Sequence, residues 1–342
     1  MRYKALDRWS FVADYNEFMA QMQGTFVGHG FRIGIDDDNN ARIALIYSGS
    51  PLYANGVRRG WIVKKINDKD VVPILLSQDG EAYSNLIGPS EAGVTNKFLF
   101  QTSDGKDSTI SSTKKSFTLN SVLLYDTLHL ASGITGHIVF ESFIAPSEDE
   151  LATAFAYLQA NDVKDLILDL RYNSGGYLYI AQQLASYIAG SANEGSDFIK
   201  LIYNSRHLDQ NYTFPLISTP YSLTLSRIVV ITTRETASAS ESVMNGLTPY
   251  MNVVSIGDTT NGKPVGMNGG DIGKKYFIAP VTFKYVNKND QGDFFTGIVP
   301  ADLVSDDITH NFNDPEELSL KAAIDYLETG SFPVKKSAFE FK

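Results

Sequence analysis

The chain has 342 residues, 43% of them hydrophobic and 20% charged, with a net charge of −10 and no cysteine. Such a chain folds, and it is long enough for one large domain plus a smaller module. The acidic balance argues against a nucleic-acid surface, and the missing cysteines exclude a disulfide framework, a thiolate metal site and a thiol nucleophile.

No apolar run reaches the roughly 18 residues of a membrane-spanning helix, and the opening MRYKALDRWSFVADYNEF is too polar for a signal peptide. The expectation is a soluble chain. Trp9, Phe11, Val12, Tyr15, Phe18, Met19 and Met22 recur near a helical period, which predicts an N-terminal helical segment over 1–25.

Residues 26–116 read as a small, mostly β domain. GTFVGHGFRIGI (24–35) is strand-rich and punctuated by glycine, and DDDNN (36–40) lacks the glycine and distal glutamate of a calcium loop, so it reads as a hairpin tip. KFLFQTSDGKDSTISS (97–112) predicts a hairpin around Asp104-Gly105.

From 117 to 342 longer strands and helices alternate, the pattern of an α/β core. GHIVFESF (136–143) is a strand, and PSEDELATAFAYLQAN (146–161) a helix with a capping box of Ser147 and Glu150. DLILDL (165–170), RIVVITT (227–233) and NVVSIGDTT (252–260) read as buried parallel strands. KKYFIAPVTFKYV (274–286) predicts a hairpin around NKNDQGD, and Asp314-Pro315 a last helix in the Ncap and N1 positions.

Ligands of open α/β sheets sit beyond the carboxyl ends of the strands, and three turns there carry chemistry. LRYNSGG (170–176) has paired glycines whose backbone can aim amides into a site. TRETASASESVMNG (233–246) puts hydroxyls where a strand gives way to a helix, so that a serine would face the positive helix end. NGKPVG (261–266) places Lys263 on a glycine-flanked turn. A serine needs a base, no histidine lies near these turns in sequence, and a lysine serves only if burial lowers its pKa by roughly 3 units. Ser238 with Glu241 is equally a capping box, and Thr236 or Ser240 could cap as well. The five histidines show no zinc-ligand spacing, so neither a metal nor a cofactor is expected. His137 reads as packed within its strand, and Arg171 and Asn173 as structural hydrogen-bonders.

Taken together, these stretches resemble the carboxy-terminal processing (tail-specific) serine peptidases. Ser238-Ala239-Ser240-Glu241 matches the family's S-A-S-E segment, Gly262-Lys263 its G-K segment 25 residues beyond the serine, LDLRYNSGG (168–176) its L-D-L-R-x-N-x-G-G turn, and TGIVPADLVSDD (296–307) its closing segment. The resemblance implies a ClpP/crotonase-like catalytic core, Ser238 as nucleophile, Lys263 as base, and Ala239 with Gly175 or Gly176 as oxyanion donors. GVRRGWIVKKINDKDV (56–71) is similar to the core of a PDZ domain, with Trp61 where aspartate is usual, and Gly28-His29-Gly30-Phe31 resembles the PDZ loop that captures a peptide carboxylate. His29 is expected to be solvent-exposed. The implied partners are polypeptide substrates, read through their C-termini, and the implied location is extracytoplasmic once a leader is gone. The sequence departs at Met267, where the family often has an orienting glutamine. That departure leaves open a second reading, a peptide- or ligand-binding protein without turnover.

Overall fold

The computed structural model describes residues 7–225 and 227–332. Its central sheet has six strands, in the order Val122–Leu130, Gly133–Phe140, Asp165–Asp169, Arg227–Thr232, Asn252–Gly257 and Asp302–Leu303. The first pair is antiparallel and all later pairs are parallel. Asp165–Asp169 is buried at every position, as a parallel strand covered on both faces must be. Helices Ser147–Ala160, Leu178–Ala189 and Ala239–Leu247 cover one face through Phe155, Leu184, Ile188 and Leu247. Helix Leu318–Thr329 covers the other, with Leu320, Ala323 and Leu327 against Ile167, Val229 and Ile256.

A four-stranded antiparallel sheet in the order Tyr212–Pro215, Asp197–Tyr203, Val281–Asn287 and Val265–Met267 packs beside helix Ala239–Leu247. The hairpin expected around NKNDQGD does not form. Val281–Asn287 pairs instead with its neighbours on both sides, and Asn287 Oδ1 accepts the amides of Asn289 and Gln291 to close a turn.

A second antiparallel sheet runs Phe31–Ile35, Ala41–Ile46, Ile62–Ile66, Thr95–Gln101 and Asp107–Thr113, with the short Lys69–Asp70 beside Ile62–Ile66. It has its own core of Ile43, Leu52, Val63, Ile66, Phe98 and Phe100. The last two strands form the hairpin predicted around Asp104-Gly105. Arg59 ties this unit to the larger core: its guanidinium lies 4.1 Å from the Phe312 ring centroid and donates to the carbonyls of Asp307 (2.9 Å) and His310 (3.0 Å).

Three local expectations are corrected. Phe11–Asp14 is a strand on Tyr276–Ala279, and the N-terminal helix begins only at Tyr15, where Asp14 accepts the amides of Asn16 and Glu17. Residues 1–6 of the predicted segment lie outside the described residues. The Ser147/Glu150 capping box is not made, because the Ser147 hydroxyl donates to Ser142 O and the Glu150 carboxylate accepts from Ser121 and Val122. The last helix starts at Leu318 and not at Pro315, since Glu317 accepts from Leu320 N as its cap.

His137 is fully buried mid-strand, and neither ring nitrogen hydrogen-bonds to a described residue. Burial, reinforced by nearby Arg171, pushes its pKa down to about 3. An unfolded histidine titrates near 6.5, so between those values the unfolded chain binds the extra proton. Stability contributed by the neutral ring is therefore complete above about pH 6.5 and is lost as pH falls toward 3, by up to about 5 kcal/mol. Urea unfolding of the wild type and His137→Leu at pH 7.5 and 5 checks this. The wild type should lose the larger share of its stability, and equal losses would contradict the assignment.

Candidate active site

The stretch TASAS, from Thr236 to Ser240, and Ser242 just beyond it offer four hydroxyls, and three of them donate to backbone carbonyls. Thr236 donates to Leu170 O (2.9 Å), Ser240 to Asn173 O (3.0 Å) and Ser242 to Ala239 O (2.7 Å), all three fully buried. Ser238 alone of the four is half-exposed. It precedes helix Ala239–Leu247 with φ 56° and ψ −112°, a conformation that costs a non-glycine residue of order 1–3 kcal/mol. Strain of that kind is held only where the surroundings over-determine it. Here the restraint is visible: Ala237 N donates to Asn173 O (3.0 Å), and Ser238 N donates to Glu241 Oε2 (2.9 Å).

Glu241 is the residue whose part the sequence concealed. Read as a helix cap, it also reaches across to the lysine turn. Its Oε2 accepts the amide of Lys263 (2.8 Å) as well as that of Ser238, while Oε1 accepts Gly262 N (2.7 Å) and Thr260 Oγ1 (2.6 Å). Four donors satisfy a carboxylate that is fully buried, where an unsatisfied one would be prohibitive. One carboxylate thus fixes both the elbow of Ser238 and the turn of Lys263.

Tyr285 repeats the clasp from the neighbouring sheet. Its buried hydroxyl lies 2.9 Å from Ser238 O and 3.1 Å from Lys263 O, placed to donate to either carbonyl. Burial, reinforced by the charge of Glu241, raises its pKa well above the ordinary tyrosine value, so it stays a donor. The Ser238 and Lys263 side chains are not hydrogen-bonded to each other; backbone clasps join the two residues. The Lys263 ammonium has no ion-pair partner among the described residues. Burial holds its pKa below the ordinary 10.5, against the opposing pull of Glu241.

The two glycines separate into different tasks. A Cβ on Gly175 (φ +98°) would stand 2.9 Å from Ser238 Cβ, Ala237 O and Ala239 N, so only glycine leaves the space beside the serine open. The Gly175 amide, however, is donated to Asn173 Oδ1 (2.9 Å). Gly176 lies against Phe143, with Gly175 O and Tyr177 N making the contacts and its own amide unused among the described residues. The amide of Ala239, first in its helix, is likewise unused among the described residues. Arg171 is structural, its guanidinium held by Asp169 (2.8 Å), Asp306 (3.0 Å) and, through both outer nitrogens, Glu317 (2.7 and 2.9 Å). Met267 sits in the strand directly after the lysine turn.

Gly28-His29-Gly30-Phe31 is remote from this cluster in contacts, joining Thr25–Gly28 to the edge strand Phe31–Ile35. The expectation of an exposed His29 is corrected: its ring is buried, with Nδ1 2.9 Å from Ser112 Oγ and Nε2 2.7 Å from Asn96 Oδ1. A glycine-flanked histidine filled a hole inside the unit and did not point outward. The next residue, Arg32, bridges to the core by pairing at 2.5 Å with Glu235, three positions before Ser238.

A half-exposed serine at a strained strand-to-helix elbow, beside a turn with a largely buried lysine, brings together the residue types that serine-type acyl transfer uses. The sequence model of peptidase family S41 matches residues 134–304, which hold every residue of the cluster. The chain belongs to peptidase family S41. The carboxyl-terminal-processing protease of Synechocystis is similar at 24% identity over 328 residues, 95% of this chain and 74% of that one. A protein of the same name from Picosynechococcus is 25% identical over 319 residues, covering 92% and 73%. A solved structure from Bacteroides fragilis assigned to the S41 proteases shares the fold with a TM-score of 0.78 at 22% identity, covering 97% of this chain and 91% of that one. The photosystem II D1 C-terminal processing protease aligns at a TM-score of 0.53 and 19% identity, covering 93% and 82%.

Proposed function

We propose that the protein is a serine endopeptidase with a Ser238/Lys263 dyad. The observation that carries this reading is the shared grip of Glu241 on the backbone of both residues. Neutral Lys263 takes the proton of Ser238 Oγ as that oxygen bonds to the scissile carbonyl carbon, and the carbonyl electron pair moves to oxygen. The amides of Ala239 and Gly176 hold the oxyanion, Gly175 being committed to Asn173. Collapse breaks the C–N bond, and the Lys263 ammonium returns its proton to the leaving amine. Lys263 then deprotonates a water that attacks the acyl ester, and Ser238 leaves with a proton.

On this reading residues 26–116 are a PDZ-like domain, 117–342 the catalytic core, and the Gly28–Phe31 loop the receiver of substrate C-termini through its backbone. A cleft of about 530 Å³ supports the coupling, since it is lined by Phe31 and Arg32 on one side and by Glu141, Ser142 and Ile144 of the core on the other. Ser142 leads directly to Phe143, the neighbour of Gly176. An extracytoplasmic location belongs to the same proposal. No described helix is long and apolar enough to cross a membrane.

The test is cleavage of an unfolded protein by wild type and Ser238→Ala at matched stability. The substitution should leave less than about a thousandth of the rate. Undiminished cleavage by Ser238→Ala would remove the dyad, and an inert wild type would favour the binding protein.

A further inference from the structure

The turn that carries Lys263 is held from inside by Glu241 and Tyr285, and from outside by a segment that precedes both folded units. Residues 7–14 cross the core as a strap. Asp7 Oδ1 accepts the amides of Trp9 (3.1 Å) and Ser10 (2.9 Å), a local turn that contains Arg8. Ser10 Oγ accepts Val281 N (2.8 Å), and Phe11–Asp14 pairs with Tyr276–Ala279. The strap is thereby registered on the core on the C-terminal side of Arg8.

Arg8 makes the contact that matters for chemistry. Its Nη2 donates to Phe295 O (2.9 Å) and to Gly262 O (3.3 Å), the carbonyl immediately before Lys263. Its guanidinium lies 4.5 Å from the Trp9 ring centroid, and Trp9 packs at 6.1 Å against the Phe295 ring. Gly262 and the 295–297 segment touch backbone to backbone: a Cβ on Gly262 (φ +84°) would stand 2.5 Å from Phe295 O and 2.6 Å from Gly297 N. Arg8 therefore bridges two segments already in contact. With the Gly262 amide on Glu241 and its carbonyl on Arg8, the peptide units leading into Lys263 are fixed at both polar ends.

Resting on the dyad reading, we propose that Arg8 is a positioning residue for Lys263, and that the strap is an in-cis part of the peptidase machinery although it lies outside the S41-matched residues. Without the guanidinium the turn keeps its inner clasp and loses its outer one. Lys263 then spends less time in the geometry that deprotonates Ser238, and water reaches its amine more freely.

The experiment follows acylation of Ser238 by a fluorophosphonate in the full chain, with the labelled residue mapped by mass spectrometry, in wild type, Arg8→Ala, Arg8→Lys and Ser238→Ala. Arg8→Ala is expected to lower the maximal labelling rate about tenfold, with the half-saturating concentration unchanged within about twofold. The pH at which labelling rises should move toward the ordinary lysine range, added guanidinium ion should restore part of the rate, and Arg8→Lys should keep more of it than alanine does. A maximal rate within twofold of wild type overturns the proposal. So does a loss that follows a fall in Tm and is rescued by neither guanidinium nor lysine. If Ser238 of the wild type is not labelled, or labelling survives in Ser238→Ala, the dyad itself fails and the strap's role falls with it. If Ser238 labels but Arg8 is indifferent, only the strap proposal falls.

Discussion

Lys263→Ala and Lys263→Arg are both expected to lower kcat/KM on an unfolded protein by about 1,000-fold, with Tm shifted by no more than a few degrees. The arginine variant separates charge from basicity, since a guanidinium keeps the positive charge but does not give up its proton in the accessible pH range. Burial disfavours the ammonium form of Lys263 and lowers its pKa, while Glu241 opposes that shift without cancelling it. A base acts in its deprotonated form, so wild-type kcat/KM should rise with pH through a limb below 10.5 and then level off. A limb at or above that value, or arginine supporting full activity, would show that Lys263 does not accept the proton.

Glu241→Gln is the second large effect, and it acts on stability and catalysis together. The carboxylate accepts four donors, three of them backbone amides that no rotamer change can redirect. A glutamine amide puts an NH₂ where one oxygen stood, so donors face a donor inside a fully buried site. The expected cost is about 3 kcal/mol in urea unfolding. The turns of Ser238 and Lys263 would also part by a fraction of an ångström, and a fall in kcat of about 100-fold is the corresponding scale for such misplacement. Unchanged stability with full activity would remove Glu241 as the clasp.

The sequence made some of this legible and hid the rest for physical reasons. Asp165–Asp169 announces itself because a strand covered on both faces has no polar alternation to confuse it. The S-A-S-E and G-K segments mark Ser238 and Lys263 as local patterns, and the elbow forms where strand meets helix. What occupies the neighbouring hydroxyls was not readable, because the partners of Thr236 and Ser240 come from residues 170–173 of another turn. Glu241 reads locally as a cap, since its contacts with residues 260–263 exist only once that turn has folded back. A lone charge among the small residues of the serine motif was the one available hint. Tyr285 lies in a strand with nothing local to distinguish it, 47 residues from Ser238. The N-terminal strand misled for the same reason, as its partner Tyr276–Ala279 is near the far end of the chain and tertiary pairing overrode the helical period of Phe11 and Val12. His29 shows the converse error, a polar residue between glycines that the fold used to fill a core.

The most direct test of the central claim is to trap the acyl-enzyme. Wild-type protein mixed with an activated peptide ester and quenched in acid during the first turnover should carry the acyl group on Ser238, located by peptide mass spectrometry, and the adduct should persist in a variant slowed in deacylation. An acyl group on another residue, or hydrolysis with no covalent adduct while Ser238→Ala turns over at the wild-type rate, would contradict it.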